Sequence, residues 1–290
     1  MRTNNIVKKT FDTPTRQVTA VSDLVDVAIR KGRVLFFLLF ASISAMAQLK
    51  PAADLTKEEM TALVRRHFET LNIQDSVERL KEMGAVYAKD FYIADTYFEF
   101  FNYKGFNTVV SQIHSKYPGQ AFVAIEEVQT LHNIARVSWK LGDSLAGLNY
   151  FVFRNGKIKD IYAFVSPVRQ EGRPTAVNQE YCSVVDKHFE TLNVTDSVKR
   201  LQMMGDVYTK DFHIVDTYFE HFNYKDWNST VNVIQQKFPG QAFSTVEVKT
   251  IPNIAYATWK LGDSLNGQNL FIIKNGKVRT IIAFVQPVSK

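Results

Sequence analysis

Residues 87–104 read YAKDFYIADTYFEFFNYK, and residues 208–225 repeat this stretch as YTKDFHIVDTYFEHFNYK. The similarity extends well beyond these two stretches, and residues 67–168 are roughly 60% identical to residues 188–288. The offset between the two copies is 121 positions and becomes 120 after a one-residue deletion in the second copy. Solenoid repeats run to about 20–50 residues, so a period of this length corresponds to a whole domain. The sequence therefore predicts a duplicated domain rather than a repeat array.

Three predicted helices open each copy. In the first copy, apolar residues recur at helical spacing over 60–71, and Thr56 with Glu59 forms a capping-box pattern ahead of them. A second helix is predicted over 75–87, and a third over 106–117 ends at a Pro-Gly pair.

Strand-like segments accompany and follow the helices. FYIAD reads as a short strand between the second and third helices, and four longer segments, QAFVAIEEVQT, IARVSWKLG, GLNYFVFRNGK and KDIYAFVSPV, complete the copy. Asn155-Gly156, between the last two segments, is a strong signal for a tight hairpin turn. Helices followed by an antiparallel meander predict the α+β class for both copies.

The bulk composition favours globular cores. The 290-residue chain is 46% hydrophobic and 13% aromatic, and it is long enough for two domains. Its net charge is +6, but seven basic and three acidic side chains within residues 1–33 account for +4 of this charge. The remaining charge is too small to predict a phosphate-binding stripe, so we expect no nucleic-acid partner.

Residues 34–47, VLFFLLFASISAMA, form an uncharged apolar run behind a basic flank. This is the pattern of a secretory signal peptide, and the run is shorter than the roughly 20 residues of a spanning helix. We therefore expect cleavage after Ala47 and an exported protein, periplasmic or secreted, without an integral membrane span. An uncleaved anchor is the alternative.

Residues 1–33 are an N-terminal extension that is longer than the usual basic flank of a signal peptide. A translation start further along the sequence, for example near Val27, would explain this length.

The predicted organisation is a first domain over 52–168, a linker containing Gly and Pro over 169–178, and a second domain over 179–290. Cys182 is the only cysteine, so no disulfide can form within the chain. The sequence has no zinc-type Cys/His spacing and no phosphate-binding glycine loop, so we predict neither a metal site nor a cofactor.

A helical layer joined by VYAKDFYIAD to a curved antiparallel sheet resembles the nuclear transport factor 2-like superfamily, especially its SnoaL-like branch. The resemblance covers both copies, from about Asp54 to Val168 and from about Thr175 to Val288. It implies two tandem cone-shaped domains, each with a sheet wrapped around its first helix to leave a pocket. It also implies that the two domains pair through their outer sheet faces as an internal pseudo-dimer.

The same resemblance places candidate catalytic residues. LVRRHFETLNIQD is similar to the first-helix segment of bacterial ketosteroid isomerases, whose oxyanion-holding tyrosine falls on His67. IADTYF is similar to the segment that carries their general base, which falls on Asp95. In GLNYFVF, Asn149 falls approximately where those enzymes keep a protonated aspartate. The corresponding positions of the second copy are His188, Asp216 and Asn269.

Such a trio suits proton transfer. A carboxylate in an apolar pocket has a raised pKa and is a better base, and a histidine and an amide aimed at a carbonyl oxygen stabilise an enolate. Isomerisation, cyclisation and dehydration all fit, although histidine and asparagine in place of tyrosine and aspartate argue against the ketosteroid reaction itself.

Each of these side chains also has a purely structural interpretation. The histidines can be core residues with satisfied hydrogen bonds, the aspartates can cap the turn after a strand, and the asparagines can be ordinary sheet residues. The candidates for lining an apolar ligand pocket, or for plain core packing, are Trp139, Trp259, Tyr97 and Tyr218.

Three functional classes follow. The preferred hypothesis is an exported protein that binds a small apolar or amphipathic molecule in each domain without transforming it. The first alternative is an isomerase or lyase that uses Asp95 or Asp216 as the base. The second alternative is an interaction scaffold that uses the outer sheet face.

Overall fold

The computed structural model describes residues 54–168 and 178–288. The N-terminal extension over 1–33, the apolar run over 34–47 and all of the predicted linker except Asn178 lie outside the described residues. Within the two described ranges, no helix is long and apolar enough to cross a membrane.

Both halves have three helices and one sheet, in the same order. The elements of the first half are α1 (Lys57–Leu71), α2 (Ser76–Val86), β1 (Tyr87–Asp95), β2 (Glu99–Phe100), α3 (Tyr103–Lys116), β3 (Phe122–Ala124), β4 (Gln129–Leu131), β5 (Ile134–Leu141), β6 (Leu145–Arg154) and β7 (Lys157–Pro167). Those of the second half are α4 (Gln179–Leu192), α5 (Ser197–Val207), β8 (Tyr208–Asp216), β9 (Glu220–His221), α6 (Tyr224–Lys237), β10 (Phe243–Ile251), β11 (Ile254–Leu261), β12 (Leu265–Lys274) and β13 (Lys277–Pro287).

Side-chain caps fix the starts of the first two helices. Thr56 Oγ1 accepts from the backbone N–H of Glu59, and the Glu59 carboxylate accepts from the backbone N–H of Thr56, which confirms the predicted capping box. The Asp75 carboxylate caps α2 by accepting from the N–H groups of Val77 and Glu78.

The two sheets have the same topology. The order of strands is β2-β1-β7-β6-β5-β3 in the first half, with β4 also paired to β5, and β10-β11-β12-β13-β8-β9 in the second. Strands β5, β6 and β7 form the predicted antiparallel meander. Asn155 and Gly156 form the turn between β6 and β7, with φ values of 51° and 71°. Strand β1 pairs in parallel with β7, so β7 lies between β1 and β6 in the sheet.

The stretch predicted as one strand from QAFVAIEEVQT differs between the halves. Strand β10 is continuous, with a register shift between Thr245 and Glu247. In the first half the same stretch breaks into β3 and β4, and within the gap the Glu126 carboxylate accepts from the N–H of Ser138. The one extra residue of the first copy explains the break, because it has no partner in the ladder.

Each sheet has an inner face, packed on its own helices, and an outer face. The outer faces of the two sheets share one buried cluster. Its members are Ala94, Leu131, Ile134, Tyr150, Tyr162 and Phe164 from the first half and Val215, Ile251, Ile254, Tyr256, Leu270, Ile282 and Phe284 from the second. Arg136 of the first half donates to Gln268 of the second and lies over the Phe284 ring, 5.0 Å from its centroid. The two outer faces therefore cover each other.

Candidate functional site

A polar pair interrupts the apolar inner face of each sheet. Asp95 in β1 pairs with Ala163 in β7, and Ala163 pairs with Asn149 in β6. Directly paired residues point to the same side of a sheet, and Ala163 belongs to the inner core, so Asp95 and Asn149 both face inward. Two strand spacings put their backbones about 10 Å apart, and the residue between them in the sheet is Ala163, whose side chain is a single methyl group. We call this set the Asp–Ala–Asn row; in the second half it consists of Asp216, Ala283 and Asn269.

The Asp95 carboxyl is held through one of its oxygens. Its Oδ1 accepts from the N–H groups of Tyr97 and Phe98, at 2.6 and 2.9 Å, which is the turn-capping role that the sequence also suggested. No group of the described residues donates a hydrogen bond to Oδ2. Burial raises the pKa of Asp95 to about 7, while the two N–H groups act in the opposite direction. The residue is 5% exposed, so this carboxyl changes charge near neutral pH inside an apolar face.

Asp216 has the same environment in the second half. Its Oδ1 accepts from the N–H groups of Tyr218 and Phe219, at 2.6 and 2.9 Å. Burial raises the pKa of Asp216 to about 8, against the opposite effect of these two hydrogen bonds. Both halves therefore hold an aspartic acid that is largely protonated below neutral pH.

The amide of Asn149 is oriented by Trp139. Asn149 Oδ1 accepts from the indole Nε1 at 2.7 Å, and the indole lies against Gly147, where a Cβ atom would come within 2.6 Å of the ring. Within the described parts of the chain, the other amide atom, Nδ2, donates to no acceptor. Trp259 orients Asn269 in the same way, at 2.8 Å. The tryptophans predicted to line a pocket therefore position the asparagines.

His67 contacts Phe151, two residues after Asn149 in β6, and makes no hydrogen bond to Asp95 among the described residues. Its ring packs edge-on against Phe151, Phe68 and Tyr87, with centroids 4.9 to 5.9 Å apart. Nδ1 and the Tyr87 hydroxyl share a hydrogen bond of 2.7 Å, whereas Nε2 is closed off from solvent with no partner among the described residues. Burial lowers the pKa of His67 to about 3, so the imidazole is neutral at physiological pH.

His188 repeats this arrangement, sharing a hydrogen bond of 2.8 Å with the Tyr208 hydroxyl. Burial lowers its pKa to about 3 as well. Among the described residues, the histidine of each first helix packs against Phe151 or Phe271 and makes no hydrogen bond to the aspartate or asparagine of its domain. The joint action of histidine, aspartate and asparagine stays a prediction.

Each of the two candidate tyrosines, Tyr97 and Tyr218, donates its backbone N–H to the aspartate two residues before it. The chain leaves β1 directly after Asp95, and Tyr97 is 62% exposed. Its ring therefore does not line an apolar pocket. Tyr218 is partly buried, and burial raises the pKa of its phenol.

A buried arginine that the sequence did not reveal holds the helices above each sheet. Arg79 in α2 is 0% exposed, and its guanidinium donates to Asn107 Oδ1 in α3 at 2.7 Å and to the carbonyl of Ile73 at 2.5 Å. Arg200 makes the equivalent bonds to Asn228 and Val194. These bonds join the ends of neighbouring helices. The guanidinium groups are already used by neutral acceptors, so neither arginine is an open site for an anion.

The chemistry available at the row is hydrogen bonding and proton transfer. Asp95 Oδ2 can donate or accept near neutral pH, and Asn149 Nδ2 can only donate. Within the described residues, no group of three or more His, Cys, Asp or Glu side chains is placed to hold a metal ion.

Comparisons with known proteins find likeness in structure only. No family model and no curated protein matches the chain. Among solved structures, a proposed isomerase of the SnoaL-like family from Agrobacterium tumefaciens str. C58 is 18% identical, with a TM-score of 0.36, over 38% of this chain and 98% of that one. A proposed SnoaL-like polyketide cyclase from Jannaschia sp. CCS1 is 13% identical, with a TM-score of 0.34, over 40% and 92%.

A de novo designed protein with the nuclear transport factor 2 fold is 23% identical, with a TM-score of 0.32, over 46% of this chain and 95% of the design. Each of these structures is thus matched almost completely by less than half of this chain. The predicted α+β class is confirmed by the helices and sheets of the two halves, which follow one another along the chain with the same topology.

Proposed function

We propose that each domain binds a small, mainly apolar molecule at its Asp–Ala–Asn row, and that the protein does so outside the cytoplasm. The observation that carries the proposal is the inward placement of Asp95 and Asn149 on either side of Ala163, with Oδ2 and Nδ2 unused by the described residues. Buried polar groups are normally hydrogen-bonded, so a ligand's polar atom is a natural partner for this pair.

The chemistry of the row defines the ligand class. The carboxyl and the amide together suit a carbonyl or hydroxyl group, because a protonated Asp95 and Asn149 Nδ2 both donate, whereas an ionised Asp95 accepts. The rest of the inner face is aliphatic and aromatic, so the remainder of the ligand is apolar. Export is supported by residues 34–47, whose composition is that of a signal peptide.

The test is native mass spectrometry of the full chain purified from its own host, followed by denaturation to release and identify any retained compound. Ala163→Val and Ala283→Val, combined, place two extra methyl groups in each row without altering a polar atom. Ala146→Val, on the opposite face of β6, is the matched control.

We expect the wild type and the Ala146→Val protein to retain a compound, up to two molecules per chain, and the combined variant to lose it. Retention of the same amount by the combined variant would place the compound elsewhere. A wild type that carries no compound would contradict the proposal.

A second function, proton transfer by Asp95 and Asp216, is favoured by the burial that raises their pKa values to about 7 and 8. A base of this pKa is matched to neutral pH. The test is deuterium exchange into the retained compound in heavy water: catalysis predicts exchange that Asp95→Asn with Asp216→Asn abolishes while binding persists. Binding alone predicts no exchange in either protein.

The scaffold hypothesis has less support. It needs an exposed apolar outer face, and the outer faces of the two described sheets are buried against each other.

A further inference from the structure

The contact between the two outer faces joins equivalent positions of the two domains. Arg136 and Tyr256 are the third residues of β5 and β11, and Phe164 and Phe284 are the eighth residues of β7 and β13. The Arg136 guanidinium lies over the Phe284 ring at 5.0 Å, and the Tyr256 ring lies 5.5 Å from the Phe164 ring. Each of the two residues therefore faces the same place on the other domain, as in a two-fold dimer.

The chemistry of this contact is not symmetric. Gln268 Oε1 accepts from the Arg136 guanidinium across the contact and from the Tyr256 hydroxyl, the latter at 2.9 Å. Arg136 and Tyr256 therefore meet at one amide oxygen. The residue equivalent to Gln268 in the first domain is Leu148, the fourth residue of β6, whose side chain offers no acceptor.

Arg136 is a buried cation that neutral groups hold. The residue is 4% exposed, and two of its nitrogens donate to Gln129 Oε1, at 2.9 and 2.7 Å, in addition to the bond with Gln268. None of these acceptors is a carboxylate. A buried charge is tolerated where its hydrogen bonds are satisfied, so both the loss of an acceptor and the approach of a second cation are unfavourable.

Two first domains paired in this geometry would bring two such cations together. Arg136 would face Arg136 of the other copy, and Leu148 would stand in the place of Gln268. Like charges at close range repel strongly in a protein interior, and each of these charges would also lose an acceptor. Two second domains would instead bring together two neutral Tyr256 side chains, each next to its own Gln268.

We infer that Arg136 restricts the outer face of the first domain to one kind of partner, the outer face of a second domain, and excludes a second copy of the first. The partner must present an aromatic ring and an amide oxygen to the guanidinium, and no cation. This selection acts at the outer faces, so it does not depend on what the inner faces bind.

The experiment gives both domains of the full chain the same type of face. The two faces differ at three pairs of equivalent positions around this contact, 129 and 249, 136 and 256, and 148 and 268. The first variant combines Lys249→Gln, Tyr256→Arg and Gln268→Leu, which gives both domains the residues of the first face. Lys249 is included because its ammonium lies 5.9 Å from the Tyr256 ring and would repel an arginine there.

Two further variants serve as controls. The first carries Tyr256→Met in place of Tyr256→Arg, with the same changes at 249 and 268, so it keeps a long side chain without the charge. The second control adds the changes Gln129→Lys, Arg136→Tyr and Leu148→Gln to the first variant, and so exchanges the two faces at these positions.

The readout is the rate at which a thiol reagent labels Ile282→Cys in the folded chain. Ile282 is 2% exposed in the cluster that the outer faces share, so its labelling requires the faces to separate. Every chain also carries Cys182→Ser, because Cys182 is the only native cysteine and is partly exposed.

We expect the variant with two first-type faces to be labelled at least about a hundredfold faster than its methionine control, because of the added charge. The exchanged variant should return to a rate close to that of the chain with its native faces. Equal rates for the arginine and methionine variants would overturn the inference. So would an exchanged variant that is labelled as fast as the first variant, because the arginine would then damage the second domain itself and not its pairing.

Discussion

Replacing Asp95 by asparagine should stabilise the first domain at pH 8 far more than at pH 5. Burial raises the pKa of Asp95 from 3.8 to about 7 in the folded protein, so the ionised form is penalised by folding. The stabilisation from the protonated carboxyl is complete below pH 3.8 and is lost as the pH rises through 7. Between pH 5 and 7 the loss is about 3 kcal/mol, from two pH units at about 1.4 kcal/mol each.

Asparagine keeps the acceptor that Tyr97 and Phe98 use but carries no charge, so Asp95→Asn should not show this loss. For Asp216→Asn the expected difference is about 4 kcal/mol, because the pKa of Asp216 rises to about 8.

The assay is urea unfolding of the full chain at pH 5 and pH 8, followed by tryptophan emission. The exposed Asp143→Asn, in the turn before β6, is the matched control for removing one carboxyl. Effects of all other titrating groups cancel when each variant is compared with the wild type at the same pH. If Asp95→Asn and the wild type lose equal stability between the two pH values, folding does not raise the pKa of Asp95.

Three further substitutions test the structural setting of the row. Asn107→Ala removes an acceptor from the buried Arg79 guanidinium and should lower the free energy of unfolding by about 2–3 kcal/mol, measured by urea unfolding. Tyr87→Phe leaves both ring nitrogens of His67 without a partner and should cost about 1–3 kcal/mol in the same assay. Gly147→Ala brings a Cβ atom to 2.6 Å from the indole above it, so the ring must shift and its N–H signal in NMR should move.

Each of these has its own control. Thr108 is exposed on the same helix, so Thr108→Ala should change the free energy of unfolding little. A decrease equal to that of Asn107→Ala would contradict the role of the buried Arg79 in holding the helices together. Combining His67→Phe with Tyr87→Phe should recover most of the loss, since no polar atom is then left unpaired. Gly84→Ala meets its nearest atom at an ordinary 3.5 Å and should leave the indole signal in place.

Much of the fold could be predicted because its signals are local. The capping box at Thr56 and the turn at Asn155 and Gly156 involve residues within a few positions of one another, and the structure has both as expected. The parallel pairing of β1 with β7 joins residues about 70 positions apart, and no periodicity within either strand specifies it. The break between β3 and β4 follows from one extra residue, whose effect depends on its partner strand.

The site was predictable only where strand alternation decides the direction of a side chain. Asp95 shares its strand face with Ile93, an inner-core residue, so its inward direction could be inferred from the sequence. The position of His67 could not: helical spacing says that the residue is buried, but not which row of the sheet it meets. Arg79 carries a charge that ordinarily marks a surface, and its burial depends on Asn107 from another helix.

The proposed function requires that a small molecule reach both aspartates on the apolar inner faces of the sheets. The most direct measurement is a pH titration of their carboxyl carbons by NMR in the full chain, with and without saturating 2-acetylnaphthalene. We expect midpoints at about pH 7 for Asp95 and about pH 8 for Asp216, and a displacement of both signals by the ketone. Midpoints at the ordinary value of 3.8, with no response to the ketone, would contradict the proposed function.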